Sequence, residues 1–277
     1  MRLATFEIEG CRHFGAVQGD TVTDLGAASE GRGLQNLLLG SHPGLSTSSN
    51  GGSPLPLSTL TLLPPIAGPA SKVLALGWAY KSHQDETGHK ADPYPFFFLK
   101  HAQSLVGHRQ PILRPTVSEA YDFEGEFALV IGKPGRNIPE HDAMDHVAGY
   151  SILMDGSVRD WQKHSVTAGK NFDRSSAFGP WIITRDEVAD PHDLQLTTRL
   201  NGNVVQQAST GQLAWSLAYL VHYCSTFTTL QTGDVISTGT PGGVGSKRTP
   251  PLWLRPGDAL EVEVSGIGVL SNTVSEE

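Results

Sequence analysis

The sequence predicts a β-rich α+β protein, with a small β-rich N-terminal domain and linker over residues 1–66 and a larger domain over residues 67–277. Three observations carry this. Most apolar stretches are short and bounded by turn residues, as strands are. Glycine and proline number 31 and 18, which suits many tight turns rather than long helices. Helical periodicity is confined to a few segments and does not alternate with strands as βαβ units do, so a Rossmann or barrel fold is disfavoured.

The elements follow in order. Residues 1–27 alternate Thr5, Glu7 and Glu9 with Ala4, Phe6 and Ile8, then turn at His13-Phe14-Gly15 and Gln18-Gly19-Asp20, which reads as a hairpin or small meander. Leu34 to Leu39 suits a short helix. Residues 41–56 are rich in serine, glycine and proline and are expected to be a linker, with the domain boundary shortly after it. VLALGWAY reads as a strand entering a loop, Lys81 to Lys90 as a short charged helix, and PYPFFFLK as a strand. DFEGEFALVIG is the longest strand signal, ended by Gly132 and Gly135. Residues 140–154 suggest a helix and then a strand. WIIT, LQLTTRLNG and VVQQA read as strands with an Asn201-Gly202 hairpin turn. Gln212 to Phe227 places Leu213, Leu217, Leu220 and Cys224 on one helical face. GDVISTGTP is a strand and a loop, and the C-terminal hairpin turns Leu260, Val262 and Val264 inward.

Composition excludes several classes of function. A chain of 277 residues can bury an ordinary core without staples. Its two cysteines, Cys11 and Cys224, lie in no CxxC or Cys/His cluster, so neither a disulfide framework nor a zinc site is expected, and a reducing, cytoplasmic setting is. Glu7 and Glu9 interrupt the start where a signal peptide needs an apolar run. No apolar run approaches the roughly 18 residues of a membrane span. The net charge of −8, without a lysine or arginine block, argues against nucleic acid or an anionic membrane as partner. An anionic small molecule remains compatible, because a few local cations override an average.

The chemistry-bearing residues begin with Glu124 and Glu126. Two apart on a strand, they share a face, and Gly125 between them leaves room for a close approach. Two carboxylates beside a buried run such as Phe127 to Ile131 repel each other and lose solvation, and a divalent cation relieves both costs. By themselves such glutamates more often lie on a wet strand face. Asp155, at the end of the apolar strand GYSILMD, offers a third hard oxygen ligand, suited to magnesium, manganese or calcium rather than zinc. Arg159 and Lys170 then stand as receivers of a substrate carboxylate.

The strings FEGEFALVIGK, GYSILMDGSVRDWQ, AGKNFDRSSAFGPWI, GDVISTGTPGGVG and PPLWLRPGDALEVEVSGIGVLSN, in this order, closely resemble the fumarylacetoacetate hydrolase superfamily, in its acylpyruvase and 2-hydroxyhepta-2,4-diene-1,7-dioate isomerase-like branch. GWAYKSHQDETG and PFFFLKHAQSLVG resemble its upstream segments, so the likeness spans about residues 70–275. The resemblance implies a mixed β-sandwich roll, a homodimer or higher assembly, and a magnesium-type site at Glu124, Glu126 and Asp155. It implies that Arg159, Gln162 and Thr240 bind substrate, with Tyr80 beside them, and that Lys170 contacts substrate or metal-bound water. It implies a lid carrying His83 and Glu86, which three-residue spacing puts on one helical turn. A carboxylate beside an imidazole orients it and raises its basicity. Met154, His101 and the stretch RSSAFGP depart from the common pattern, which bears on substrate more than on chemistry. His89, His101, His108 and His164 are expected to be surface or structural residues.

The expected function is metal-dependent hydrolysis of a C–C bond in a small 2,4-diketo acid, with His83 activating water. The rivals are decarboxylation of oxaloacetate, isomerisation or lyase chemistry on a related keto acid, and a non-catalytic ligand-binding role. No P-loop, GxSxG elbow or HExxH motif is present.

Overall fold

The computed structural model describes residues 1–28, 33–38, 53–66, 71–90 and 93–277. Most of the expected linker, and Leu39 of the first expected helix, lie outside the described residues.

The N-terminal meander is β1 (Arg2–Ile8), β2 (Cys11–Gln18) and β3 (Thr21–Ala27), antiparallel throughout. A short helix α1 (Gly33–Leu38) buries Leu34 and Leu37. β4 (Leu55–Pro56) pairs with β3, and β5 (Thr61–Leu63) pairs with β1. Next come β6 (Val73–Gly77), α2 (Lys81–Thr87), β7 (Phe96–Lys100), β8 (Leu105–Val106), β9 (Ile112–Arg114) and β10 (Tyr121–Asp122). The centre of the chain forms β11 (Gly125–Ile131), β12 (Val147–Met154), β13 (Ser157–Val158), α3 (Arg159–Gln162), α4 (Val166–Lys170) and β14 (Ser176–Thr184). The last elements are β15 (Gln195–Leu200), β16 (Asn203–Ser209), α5 (Leu217–Phe227), β17 (Val235–Ser237), β18 (Ala259–Val264) and β19 (Gly268–Glu276).

The large sheet runs β4-β3-β2-β1-β14-β12-β11-β17-β6-β7 and is mixed, because β17 and β6 are parallel. A second sheet runs β16-β15-β18-β19-β9. The N-terminal meander is hydrogen-bonded into the large sheet through β1 and β14.

β11 shows why the centre is layered. All its residues are buried, so both faces must be covered. Phe127, Leu129 and Ile131 enter a core shared with Leu196, Val262 and Leu270 of the second sheet and Leu220 and Cys224 of α5. Ala128 and Val130, on the other face, pack with Leu3, Phe14 and Leu34. Each large side chain so buried contributes about 1.5–3 kcal/mol. This is the β-rich, mixed-sheet α+β fold the sequence predicts.

Three expected helices are shorter. α2 stops at Thr87, where Gly88 caps it in the left-handed conformation. The one expected at 140 is a 3-10 turn, Glu140–His146. α5 starts at Leu217 because the Ser216 hydroxyl caps it, accepting the Tyr219 N–H at 3.0 Å. Leu213 is therefore off the helical face and bridges to Tyr80 instead. Asn201 and Gly202 both have positive φ and close the predicted two-residue hairpin. Among the described residues, no helix is long and apolar enough to cross a membrane.

Candidate active site

The three acids meet because of strand register. β11 and β12 pair Gly125 with Met154 and Glu126 with Leu153. The ladder ends where the Asp155 N–H donates to the Glu124 carbonyl at 2.9 Å. Glu124 thus sits just ahead of the first strand residue, yet opposite Asp155. Ligand oxygens of Glu124, Glu126 and Asp155 lie within 4.8 Å of one another, and all three residues are buried. What approaches Gly125 is the second sheet: a Cβ there would meet Thr198 Oγ1 at 2.2 Å. The Gly125 N–H donates to Gln206 Oε1, and its carbonyl accepts from the Thr240 hydroxyl.

Cations surround the acids. Lys170 Nζ donates to Glu124 Oε2 at 2.5 Å and Asp155 Oδ2 at 2.6 Å. Lys100 Nζ, unforeseen in the sequence, donates to Asp155 Oδ1 at 2.7 Å and to the Lys170 carbonyl. Arg159 donates from NH2 to Glu124 and from Nε to Asp122. Four carboxylates (Asp122, Glu124, Glu126, Asp155) against three cations (Lys100, Arg159, Lys170) leave one negative charge when all are ionised. A divalent cation held by the trio would turn this into one positive charge.

The environments differ. Burial raises the Glu124 carboxyl, but Lys170 and Arg159 outweigh it and bring its pKa down to about 2. Burial, with the charges of Asp155 and Glu124, pushes Glu126 well up. Glu126 Oε2 accepts from the Ser237 hydroxyl and the Gly239 N–H, whereas Oε1 is buried without a partner. An orphaned carboxylate oxygen is costly. Together with two further hard oxygen donors in reach, it fits a divalent cation of the magnesium, manganese or calcium kind.

α2 carries the predicted dyad. Its turn places His83 Nδ1 3.2 Å from Glu86 Oε2, and the Gly243 N–H donates to Glu86 Oε1 at 2.9 Å. Burial opposes the Glu86 charge, but these hydrogen bonds win and hold its carboxyl below the usual range. With the Gly242 N–H donating to the Ser82 hydroxyl, the helix is docked on the 239–244 loop. A cavity of about 570 Å³ opens beside it, lined by His83, Glu124, Arg159, Gln162, Lys170 and Thr240 among others.

Several expected roles change. Tyr80 is fully buried and lies behind the cavity wall rather than on it. The Thr240 hydroxyl proton goes to the Gly125 carbonyl while its oxygen accepts from Gln206 Nε2, so this side chain has no proton left for a substrate carboxylate. Lys170 and Arg159 line the cavity but are already engaged with acids. His89, expected to be structural, lines the cavity and stacks on Trp78 with ring centroids 4.1 Å apart. Gln162 Oε1 accepts from Arg159, and Gly169 permits its position: a Cβ there would stand 2.3 Å from Gln162 Cγ.

A buried acid trio at the end of an antiparallel strand pair, with Glu124 of the trio and His83 of the histidine–glutamate dyad lining one cavity, marks an enzyme site. The fumarylacetoacetate (FAA) hydrolase C-terminal family matches residues 72–275, and the chain belongs to it. It is 42% identical over 221 residues to "Oxaloacetate tautomerase fahd2, mitochondrial" of Xenopus laevis, covering 78% of this chain and 69% of that one. Among solved structures it resembles a fumarylacetoacetate hydrolase of Exiguobacterium antarcticum (TM-score 0.85, 32% identity, all of both chains). It also resembles a 2-hydroxyhepta-2,4-diene-1,7-dioate isomerase of Mycobacterium marinum (TM-score 0.80, 34% identity, 100% and 99% of the chains).

Proposed function

We propose that the site interconverts the keto and enol forms of a short 2-keto dicarboxylic acid of the oxaloacetate type, with magnesium held by Glu124, Glu126 and Asp155. The observation that carries this reading is His83, oriented by Glu86, lining the same cavity as Glu124, Arg159 and Lys170. Enolisation needs one base that can also return the proton, and little else. The tautomerase name of a relative 42% identical supports the same choice.

A bound divalent cation supplies Lewis acidity to the 2-oxo group. Arg159 and Gln162 receive the adjoining carboxylate and fix the acid's orientation. His83 Nδ1 faces Glu86, leaving Nε2 to take the proton from C3. The C–H electrons form the C2–C3 double bond, and the carbonyl pair moves to the oxygen, which accepts the proton from the imidazolium. Glu86 stabilises that imidazolium. Lys170 supplies positive charge beside the developing oxyanion.

Hydrolysis of an acylpyruvate is the second reading, favoured by the full-length likeness to a fumarylacetoacetate hydrolase. There the same dyad deprotonates water. The test follows oxaloacetate enol decay by ultraviolet absorbance, with magnesium and with chelator, beside coupled pyruvate release from acylpyruvates. The expected result is enol decay faster than the magnesium buffer blank and lost on chelation. Enol decay at the blank rate overturns the tautomerase reading, and pyruvate release from an acylpyruvate establishes the second.

A further inference from the structure

The charges lining the cavity are nearly all spoken for. Glu124 is bonded to Lys170 and Arg159, Lys170 also to Asp155, and Arg159 also to Asp122. His83 faces Glu86. Lys247 lines the same cavity, is exposed, and has no ion pair or hydrogen bond from its ammonium among the described residues. Among the described residues it is the lining lysine or arginine whose charge no ion pair offsets.

Lys247 is nevertheless held on a fixed support. It ends the 3-10 turn Gly245–Lys247. The Gly245 and Ser246 N–H groups donate to Asp122 Oδ1 and Oδ2 at 2.8 and 2.9 Å. Asp122 also accepts from Arg159 Nε at 2.8 Å. One fully buried carboxylate therefore fixes both the arginine beside the acid trio and the turn that carries the unpaired lysine. A Cβ on Gly245 would meet the Leu252 carbonyl oxygen at 1.9 Å and Asp122 Oδ1 at 2.6 Å, so the turn packs closely against both.

We infer that Lys247 receives the second, distal carboxylate of the substrate, which makes the site selective for 2-keto dicarboxylic acids over 2-keto monocarboxylic acids. This rests on the keto-acid reading above. The charge count agrees with it. The acid cluster with a divalent cation carries one surplus positive charge, sufficient for one carboxylate, and Lys247 supplies a separate one for the other. A monocarboxylic acid would leave Lys247 in water as it is now, gaining nothing from it. A dicarboxylic acid gains a charge-assisted hydrogen bond at a cation that pays no cost of leaving another partner.

The test measures binding by calorimetry, with magnesium, of oxaloacetate and of pyruvate to the wild type, Lys247→Gln and Lys247→Arg. The wild type should prefer oxaloacetate. K247Q should weaken oxaloacetate about tenfold and leave pyruvate unchanged, and K247R should restore most of the preference. Equal weakening of both acids, an unchanged K247Q, or a wild type that binds both acids equally overturns the role of Lys247 while leaving the keto-acid reading standing. A wild type that binds neither acid overturns the keto-acid reading and this inference with it.

Discussion

Lys100 Nζ lies 2.7 Å from Asp155 Oδ1, and both side chains are sealed from solvent at 0% exposure. Burial pulls the Lys100 pKa down while Asp155 pulls it up, and the net shift is downward. The pair links edge strand β7 to the end of β12, across 55 positions of sequence.

Replacing Lys100 by Met should therefore cost about 3–5 kcal/mol, because Asp155 keeps its buried charge with one partner fewer. A divalent cation returns positive charge to the same place. The variant should accordingly gain more thermal stability from added magnesium than the wild type does. Thermal unfolding with and without magnesium measures both effects, and an equal gain in the two proteins would show that Lys100 is electrostatically separate from the acid trio.

Lys100 also marks where the sequence stops being legible. β11 and β12 were readable because FALVI and YSILM are apolar on both faces, and Glu124, Glu126 and Asp155 were readable as the ends of those runs within recognisable strings. PYPFFFLK, by contrast, reads only as a strand, with nothing in it to mark its lysine, and the packing of β7 beside α4 is what turns Lys100 inward. Asp122 and Gln206 are similar: their partners Ser246, Gly125 and Thr240 are distant in sequence. The start of α5 was legible in principle, since Ser216 is a capping residue, but the periodic leucines extended the expected helix past it to Leu213.

Glu126→Gln separates binding from folding. Glutamine is close in shape and removes a charge that burial and two neighbouring acids disfavour, so metal-free stability should stay level or rise. Loss of even an outer partner of a metal ligand weakens binding about 10–100-fold, and loss of a ligand oxygen should do at least as much. Calorimetric titration with magnesium beside urea unfolding checks the pair. A variant that binds magnesium as tightly as the wild type would remove Glu126 from the ligand set.

His108 should make stability fall with acid independently of the active site. Its Nδ1 accepts the Ser271 N–H at 3.1 Å, an arrangement open only to the neutral ring. Burial, and then Arg109, push its pKa down to about 4. The unfolded value is about 6.5. Above that pH both states are neutral and no penalty arises. As pH falls from about 6.5 to about 4 the unfolded chain takes up the proton first, so stability is lost across that window and levels off below it. His108→Asn keeps an acceptor near the Ser271 N–H and cannot titrate. Its unfolding free energy should fall less than that of the wild type across that window, and parallel curves would mean that His108 titrates alike in both states.

The dyad predicts an ordered pair of losses. His83→Ala removes the group that moves the proton and should lower kcat by about 10²–10⁴. Glu86→Gln keeps an acceptor near His83 Nδ1 but removes the negative charge that stabilises the imidazolium. Its loss should be smaller, about tenfold, because the imidazole itself remains in place. Glu86 is already held below the usual carboxyl range, so the wild type keeps that charge at neutral pH. The checks are enol-decay rates across pH for both variants, with magnesium binding measured alongside. If the two variants lose equal activity, Glu86 acts only by docking α2 to the Gly243 N–H.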